Sequence, residues 1–282
     1  MRTDFLYRTI MHIDLHTHTN VSDGKLSPAE LINRAIAKGI QVLSITDHDT
    51  TNAYQQLDLS ATTPRLIPGI ELSTFWNKIG IHVVGLNIEL NSNAMNDASS
   101  FQQHARITRA EAIAEKLEKH GINDALNGAH AIAGNDNIGR PHFAQHIVNV
   151  GAADSINEAF KKYLSSGKSG DIKKYWASLP QIIGWIRDAG GVAVLAHPLK
   201  YKLTRTRLVT LIDDFITAGG EGIEVVSGKQ IPVDTRLLAR ICNQKKLLAS
   251  CGSDFHEPKQ TWAELGEFSP IPKNCTPIWE RF

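Results

Sequence analysis

The sequence predicts an α/β fold: a small, distorted β/α barrel with a helical insertion on its active face. Three observations point there. Short apolar runs alternate with amphipathic helix patterns at both ends of the chain, residues 97–170 carry helix patterns and no strand run, and five apolar runs end in a histidine or an acid. Strand–helix alternation implies parallel strands with right-handed crossovers, and such folds put their sites at the carboxyl ends of the strands. An open doubly wound sheet is the alternative.

Residues 12–15 form the first strand. Ser27-Pro28-Ala29-Glu30 opens a helix with a capping box and proline at its first position, Leu31, Ile32, Ala35 and Ile36 give its buried face, and Gly39 ends it. Residues 41–45 form the next strand. Runs 65–75 and 81–88 are two further strands around a hairpin-length turn at Asn77–Gly80, so the second of them runs back antiparallel. A long helix spans Ala98–His120, with shorter ones at Pro141–Asn149 and Asp154–Leu164. Alternation then resumes: helix from Ser178, strand Val192–Ala196, helix Leu208–Ala218, strand Gly222–Val226, helix Val233–Gln244, strand Leu247–Cys251. The count is about seven strands, which suits a small barrel built from residues 1–96 and 171–282, interrupted by the helical insertion at 97–170.

The chain has 282 residues, 30 basic against 29 acidic side chains, and three cysteines without metal-type spacing. Near-neutral charge disfavours bulk electrostatic binding to nucleic acid or membrane. The cysteines read as free thiols of a cytoplasmic protein. Residues 1–11 show no leader pattern, and no run reaches the length of a membrane span. No obligate protein partner is evident.

The chemistry lies in the strand ends. His16-Thr17-His18 points two imidazoles the same way if the segment is extended. Asp23, His48, Glu71, His82, His197, Asp254 and His256 stand on other segments. A lone strand histidine is more often a hydrogen-bonded core residue, and Asp23 before Gly24 suits a plain turn. The joint pattern is harder to reach by chance. Six imidazoles and three carboxylates suit two or three divalent ions such as Mn²⁺, Fe²⁺ or Zn²⁺. Such a cluster generates a metal-bound hydroxide at neutral pH and clamps phosphate oxygens.

Asp14-Leu15-His16-Thr17-His18-Thr19, Ser22-Asp23-Gly24, Thr46-Asp47-His48-Asp49-Thr50, Gly69-Ile70-Glu71, Ala196-His197-Pro198 and Ser253-Asp254-Phe255-His256 resemble the PHP (polymerase and histidinol phosphatase) family. The resemblance covers nearly the whole chain. It implies a distorted (β/α)7 barrel and a complete ligand set: His16, His18, Glu71 and Asp254 on one metal, Glu71, His82 and His197 on a second, and Asp23, His48 and His256 on a third. Manganese is the metal expected first.

Within the family the chain resembles the TrpH-like branch, through Gly139-Arg140-Pro141-His142, Ala159–Leu164, Ala196–Tyr201 and Glu224-Val225-Val226-Ser227. That resemblance implies removal of the 3′-phosphate from 3′,5′-nucleotide bisphosphates, with 5′→3′ exonuclease action on short 5′-phosphorylated oligonucleotides. Arg140, at a helix start, is then placed to hold the second phosphate. His142 is a candidate phosphate ligand or leaving-group acid, and Lys200 a weaker phosphate ligand. Trp76, Trp176 and Trp185 are candidates to stack on a base, with Trp185 better read as core. The competing readings are a histidinol-phosphate phosphatase, which the insertion and Arg140 disfavour, and a non-catalytic metal-binding regulatory module, which the complete ligand set disfavours. A C–N hydrolase of the wider amidohydrolase type fits the paired metal and anion sites poorly.

Overall fold

The computed structural model describes residues 12–58, 64–165, 167–172 and 174–282. The stretch 1–11, where no leader pattern is expected, lies outside them.

β1 (Ile13–Asp14) leads through α1 (Pro28–Ala37) to β2 (Val42–Leu43), a parallel neighbour in the register Ile13–Val42. Ser27 caps α1: its hydroxyl accepts from Glu30 N, and its own N–H donates to the Glu30 carboxylate at 2.8 Å. A 3-10 turn (Asn52–Gln56) comes next, then β3 (Arg65–Leu66), parallel to β2. β4 (Gly69–Trp76) and β5 (Ile79–Leu86) pair as an antiparallel hairpin. The two residues between them, Asn77 and Lys78, both have positive φ, which matches the right-handed twist of the strands.

Helices then fill the chain: α2 (Asn93–Glu118), α3 (Ala125–Ala133), α4 (Arg140–Asn149) and α5 (Ile156–Ala159), which runs into a π-helical turn at Phe160–Leu164. The α/β pattern returns with α6 (Leu179–Asp188), β6 (Val192–Leu195), α7 (Arg205–Thr217), β7 (Gly222–Ser227), α8 (Pro232–Gln244) and β8 (Leu248–Gly252).

The strands form two sheets, β1-β2-β3 and β4-β5-β6-β7-β8, rather than one closed ladder. The expected single strand over 65–75 is two strands in different sheets. Pro68 stands between them and has no N–H to carry a ladder through. Isolated parallel bridges join the sheets: Thr17–Phe255 just beyond β1 and β8, and His48–Glu71 between the segment after β2 and β4. Leu15 N donates to Cys251 O at 3.2 Å on one side, and Asp49 N to Glu71 O at 2.8 Å on the other.

Ile13, Leu15, Val42, Ile67, Val84, Leu86, Val192 and Val194 form a cluster between the sheets. On β5 the alternate residues Ile81 and Val83 face outward, into the core shared with α6, α7 and α8. This period-two division shows a strand buried on both faces. The central helices have their own core around Ile113, Leu117, Phe143 and Ile147. α2 belongs to both cores: Met95 and Ala98 pack under the sheet, Ile113 and Leu117 in the helical group. It starts five residues earlier than the sequence pattern shows, because Ser92 caps it through Met95 N. The sequence pattern does not show α3 at all. Gly128 weakens its signal, yet a Cβ there would lie 1.9 Å from the His146 ring, so the α3–α4 contact needs glycine.

Tyr54 pins the sheet carrying β1 and β2 to β4. Its buried hydroxyl accepts from Ile45 N (3.1 Å) and Gly69 N (2.8 Å) and lies 2.7 Å from Ile45 O. Tyr54→Phe leaves two buried backbone N–H groups without a partner. Thermal or denaturant unfolding should show a loss of about 1–3 kcal/mol.

Candidate metal centre

Nine candidate donors come from seven segments and meet at one end of the strands. His16 and His18 lie just past β1 in extended backbone, so both rings point inward. Their Nε2 atoms lie 3.1 Å apart. Glu71 approaches them at 3.3 and 3.4 Å, and Asp254 at 3.4 and 3.2 Å. Glu71 is the hub, with His82 Nδ1, His197 Nε2 and His48 Nδ1 each 3.0 Å from its oxygens. Asp23 meets His256 at 3.3 Å and His48 at 3.7 Å. All nine residues fall into groups of converging ligand atoms: His18, Asp23, His48 and His256; His16, His18 and Glu71; His16, His197 and Asp254; His48, Glu71 and His82. His48 thus lies between the second and third expected sets, and His18 reaches into the third.

Burial alone would push the Glu71 carboxyl up, but His48, His16 and His82 outweigh it and hold it well below the usual range. Asp23 and Asp254 behave alike: burial is outweighed by His256 and His48 around the first and by Lys200 and His16 around the second. Burial drives His18 down to about 3 and His82 to about 4, so both imidazoles are neutral. At His256 burial is overcome by Asp23, which pushes the ring up to about 9. The acids call for positive charge in this cleft, and a proton or a metal ion can supply it.

The donor set fits divalent ions. Ligation requires ionised carboxylates and neutral imidazoles: the three acids, His18 and His82 are already in that state, and an entering ion would take the place of the proton that Asp23 favours on His256. In addition, His18 Nδ1 and His197 Nδ1 are buried without a hydrogen bond. An orphaned buried polar atom costs about 1–3 kcal/mol unless it is engaged.

Glu224 and Asp47 lie in segments that carry the family resemblance but have no role assigned from sequence; both support the donors. Glu224 is buried on β7, and its carboxylate takes His16 Nδ1–H at 2.5 Å and the His197 N–H at 2.6 Å. This directs His16 Nε2 toward the cluster. An acid inside the apolar strand Gly222–Val226 is the visible signal. Asp47 accepts from Thr19 N at 2.7 Å and Ser22 Oγ at 2.5 Å, which fixes the loop that carries Asp23.

A smaller cavity, about 150 Å³, opens beside the cluster; Asp23, His48 and His82 line one side, and Arg106, Arg109, Arg140 and Trp176 another. Arg106 and Arg109 stack over Trp176 at 5.4 and 5.2 Å. Burial, then Arg140 and Arg106, bring the Arg109 guanidinium down to about 9. Arg106 Nε donates to Asp49 at 2.8 Å. Arg140 begins α4 and donates to Leu164 O at 3.3 Å. Gln102, Arg106 and Arg109 recur at helical spacing on α2, a buried polar stripe that a periodicity search for apolar residues passes over.

His142 Nδ1 accepts the Gly139 N–H at 3.0 Å. Burial lowers this ring to about 4, so it is neutral with its proton on Nε2. Lys200 pairs with Asp254. Trp76 is in the core and donates to Asp214 at 2.6 Å. Trp185 packs against that core as expected.

The PHP domain model matches residues 14–172, more than half of the chain. The chain belongs to the PHP family. A 5′-3′ exoribonuclease of Haemophilus influenzae is 41% identical over 95% of this chain and 98% of its own. A 3′,5′-nucleoside bisphosphate phosphatase of Chromobacterium violaceum is 40% identical over 95% of each. Among solved structures, an amidohydrolase from Chromobacterium violaceum with bound sulfate superposes with a TM-score of 0.86 at 39% identity, covering 95% of both chains.

Glu224→Ala should weaken metal binding about 10–100-fold through loss of the His16 orientation, measured by competition against a chromogenic chelator. Unchanged affinity would remove Glu224 from the centre. Stripping metal with a chelator should lower the thermal midpoint, because an ion held only by the folded state stabilises it.

Proposed function

We propose that this PHP-family enzyme is a metal-dependent phosphoesterase that removes the 3′-phosphate of 3′,5′-nucleotide bisphosphates and trims short 5′-phosphorylated oligonucleotides from the 5′ end. One observation carries the reading: the nine-donor cluster and the three-arginine cavity share Asp23, His48 and His82 as a common wall. A substrate with two phosphates needs two anion sites a sugar apart, and the adjacent pair supplies them. The relatives from Haemophilus influenzae and Chromobacterium violaceum act, by their names, on these two substrate classes. The classes differ only in the group beyond the 3′-phosphorus: a free phosphate oxygen in one, the next nucleoside in the other.

The nine donors would hold two or three divalent ions, manganese first and iron or zinc as alternatives. When bound, these ions lower the pKa of a water and neutralise phosphate oxygens. Glu71 with His16, His18 and Asp254 would hold one ion, Glu71 with His82 and His197 a second, and Asp23, His48 and His256 a third. Arg140, Arg106 and Arg109 take the 5′-phosphate by charge-assisted hydrogen bonds, aided by the N-terminus of α4. His142, neutral with its proton on Nε2, donates a hydrogen bond to a phosphate oxygen in preference to acting as an acid. Lys200, beside Asp254, stands ready to contact the phosphate being cleaved.

The two bridged sheets work as a distorted PHP-type barrel. Helical residues 97–170 form the substrate wall over it. Three buried free cysteines suit a reducing, cytoplasmic setting. Among the described residues, no helix is long and apolar enough to cross a membrane.

Asp23→Asn should lower turnover of adenosine 3′,5′-bisphosphate at least about 100-fold with the fold retained by circular dichroism. A near wild-type rate in metal-replete buffer would exclude this site. Arg140→Ala should raise KM for that substrate about tenfold or more while leaving a 3′-monophosphate unaffected, as loss of a charged hydrogen bond implies. Equal loss on both substrates removes the 5′-phosphate role. Histidinol phosphate assayed alongside tests the competing phosphatase reading: faster hydrolysis of it would replace the nucleotide assignment.

A further inference from the structure

A second, much larger cavity of about 1080 Å³ lies next to the arginine pocket, and the phosphoesterase reading leaves it unused. Three segments wall it: the 3-10 turn with Asn52 and Gln56, the face of α2 with Asn96 and Gln103, and the loop before α4 with Asn135 and Asn137. Among its lining residues only Asp49, Arg106 and Asp136 are charged; Asp49 pairs with Arg106 at 2.6 Å, and Asp136 is exposed. The rest is mostly a wall of carboxamides and hydroxyls, which offers both donors and acceptors. Phosphate backbone binding needs cations, and an apolar ligand needs apolar walls. Nucleobase edges and ribose hydroxyls match the groups this wall presents. The volume exceeds the usual small-molecule range of about 300–1,000 Å³, so it has room for more than one nucleoside.

The cavity is also tied to the metal centre. Asn137 Nδ2 donates to His48 O at 2.8 Å and to Val21 O at 3.3 Å, and Asn135 Nδ2 to Asn20 O at 3.1 Å. The wall is therefore fastened to the backbone that carries Asp23 and His48. Arg106 and Asp49 form the partition: Arg106 lines both cavities. Gln56, Asn96 and Gln103 make no side-chain hydrogen bond among the described residues, which leaves their amides available.

We propose that this cavity binds the bases and riboses of nucleotides beyond the first in a single-stranded RNA substrate. The proposal rests on the phosphoesterase reading. The mononucleotide bisphosphate uses only the metal centre and the arginine pocket; an oligonucleotide uses the amide-lined cavity as well.

The test compares wild type with Asn96→Ala/Gln103→Ala on adenosine 3′,5′-bisphosphate and on a 5′-phosphorylated RNA pentanucleotide. Both positions are exposed, and unfolding curves check that the double variant is folded. The expected result is a pentanucleotide KM raised about tenfold, with kcat/KM on the bisphosphate within about twofold, as loss of two hydrogen bonds implies. Equal loss on both substrates, or no loss on either, overturns the proposal. Wild-type protein that hydrolyses the bisphosphate and not the pentanucleotide also overturns it, and leaves the phosphoesterase reading standing. Hydrolysis of neither overturns both.

Discussion

Everything at this end of the molecule depends on keeping Glu71 ionised where no water reaches it. A carboxylate buried this deeply is unstable alone, and burial would protonate it. Five imidazoles lie within 3.4 Å of its oxygens, and His48, His16 and His82 among them reverse that balance. Four of them are held by different local devices: His16 by Glu224, His48 by the bridge to β4, His82 by the hairpin register opposite Ser73, His197 by its backbone bond to Glu224. The strand ends therefore cannot vary independently. Moving any one leaves a buried charge uncompensated, and such losses run to about 3–5 kcal/mol.

A second buried acid links the helices to the sheets. Asp49 stands next to the donor His48 in left-handed backbone, and its carboxylate accepts from Ser73 N, Gln102 and Arg106. It thus joins a donor segment, the strand carrying Glu71, and the helix carrying the arginine stripe. The ion pair has the geometry that makes a buried pair tolerable, with further hydrogen bonds filling the carboxylate's remaining sites. Through it, the helical wall is positioned relative to the donors by a bond rather than by loop length.

Much of this is legible in the chain itself. Apolar runs with period two, capped helices and the positions of Pro and Gly mark most elements to within a few residues, since these signals are local. The nine donors are legible because each stands at or near the end of an apolar run, where a polar residue has little reason to recur. The illegible features share one cause: each serves a contact between distant segments. Pro68 splits one expected strand between two sheets. Gly128 hides a helix for the sake of a contact with His146. Glu224, Arg106 and Arg109 look like ordinary residues of a strand and a helix until their partners are in place.

The sequence by itself determined the α/β alternation, the helical middle segment and the set of residues able to bind metal, because periodicity, capping and residue chemistry are properties of short stretches. Only the tertiary structure decided that β3 and β4 enter different sheets, that Glu71 is the common centre of the donors, and that three arginines and a Trp176 platform share a wall with them. Those depend on which distant segments meet, and the pairing of distant segments is set by packing and buried charge across the whole chain.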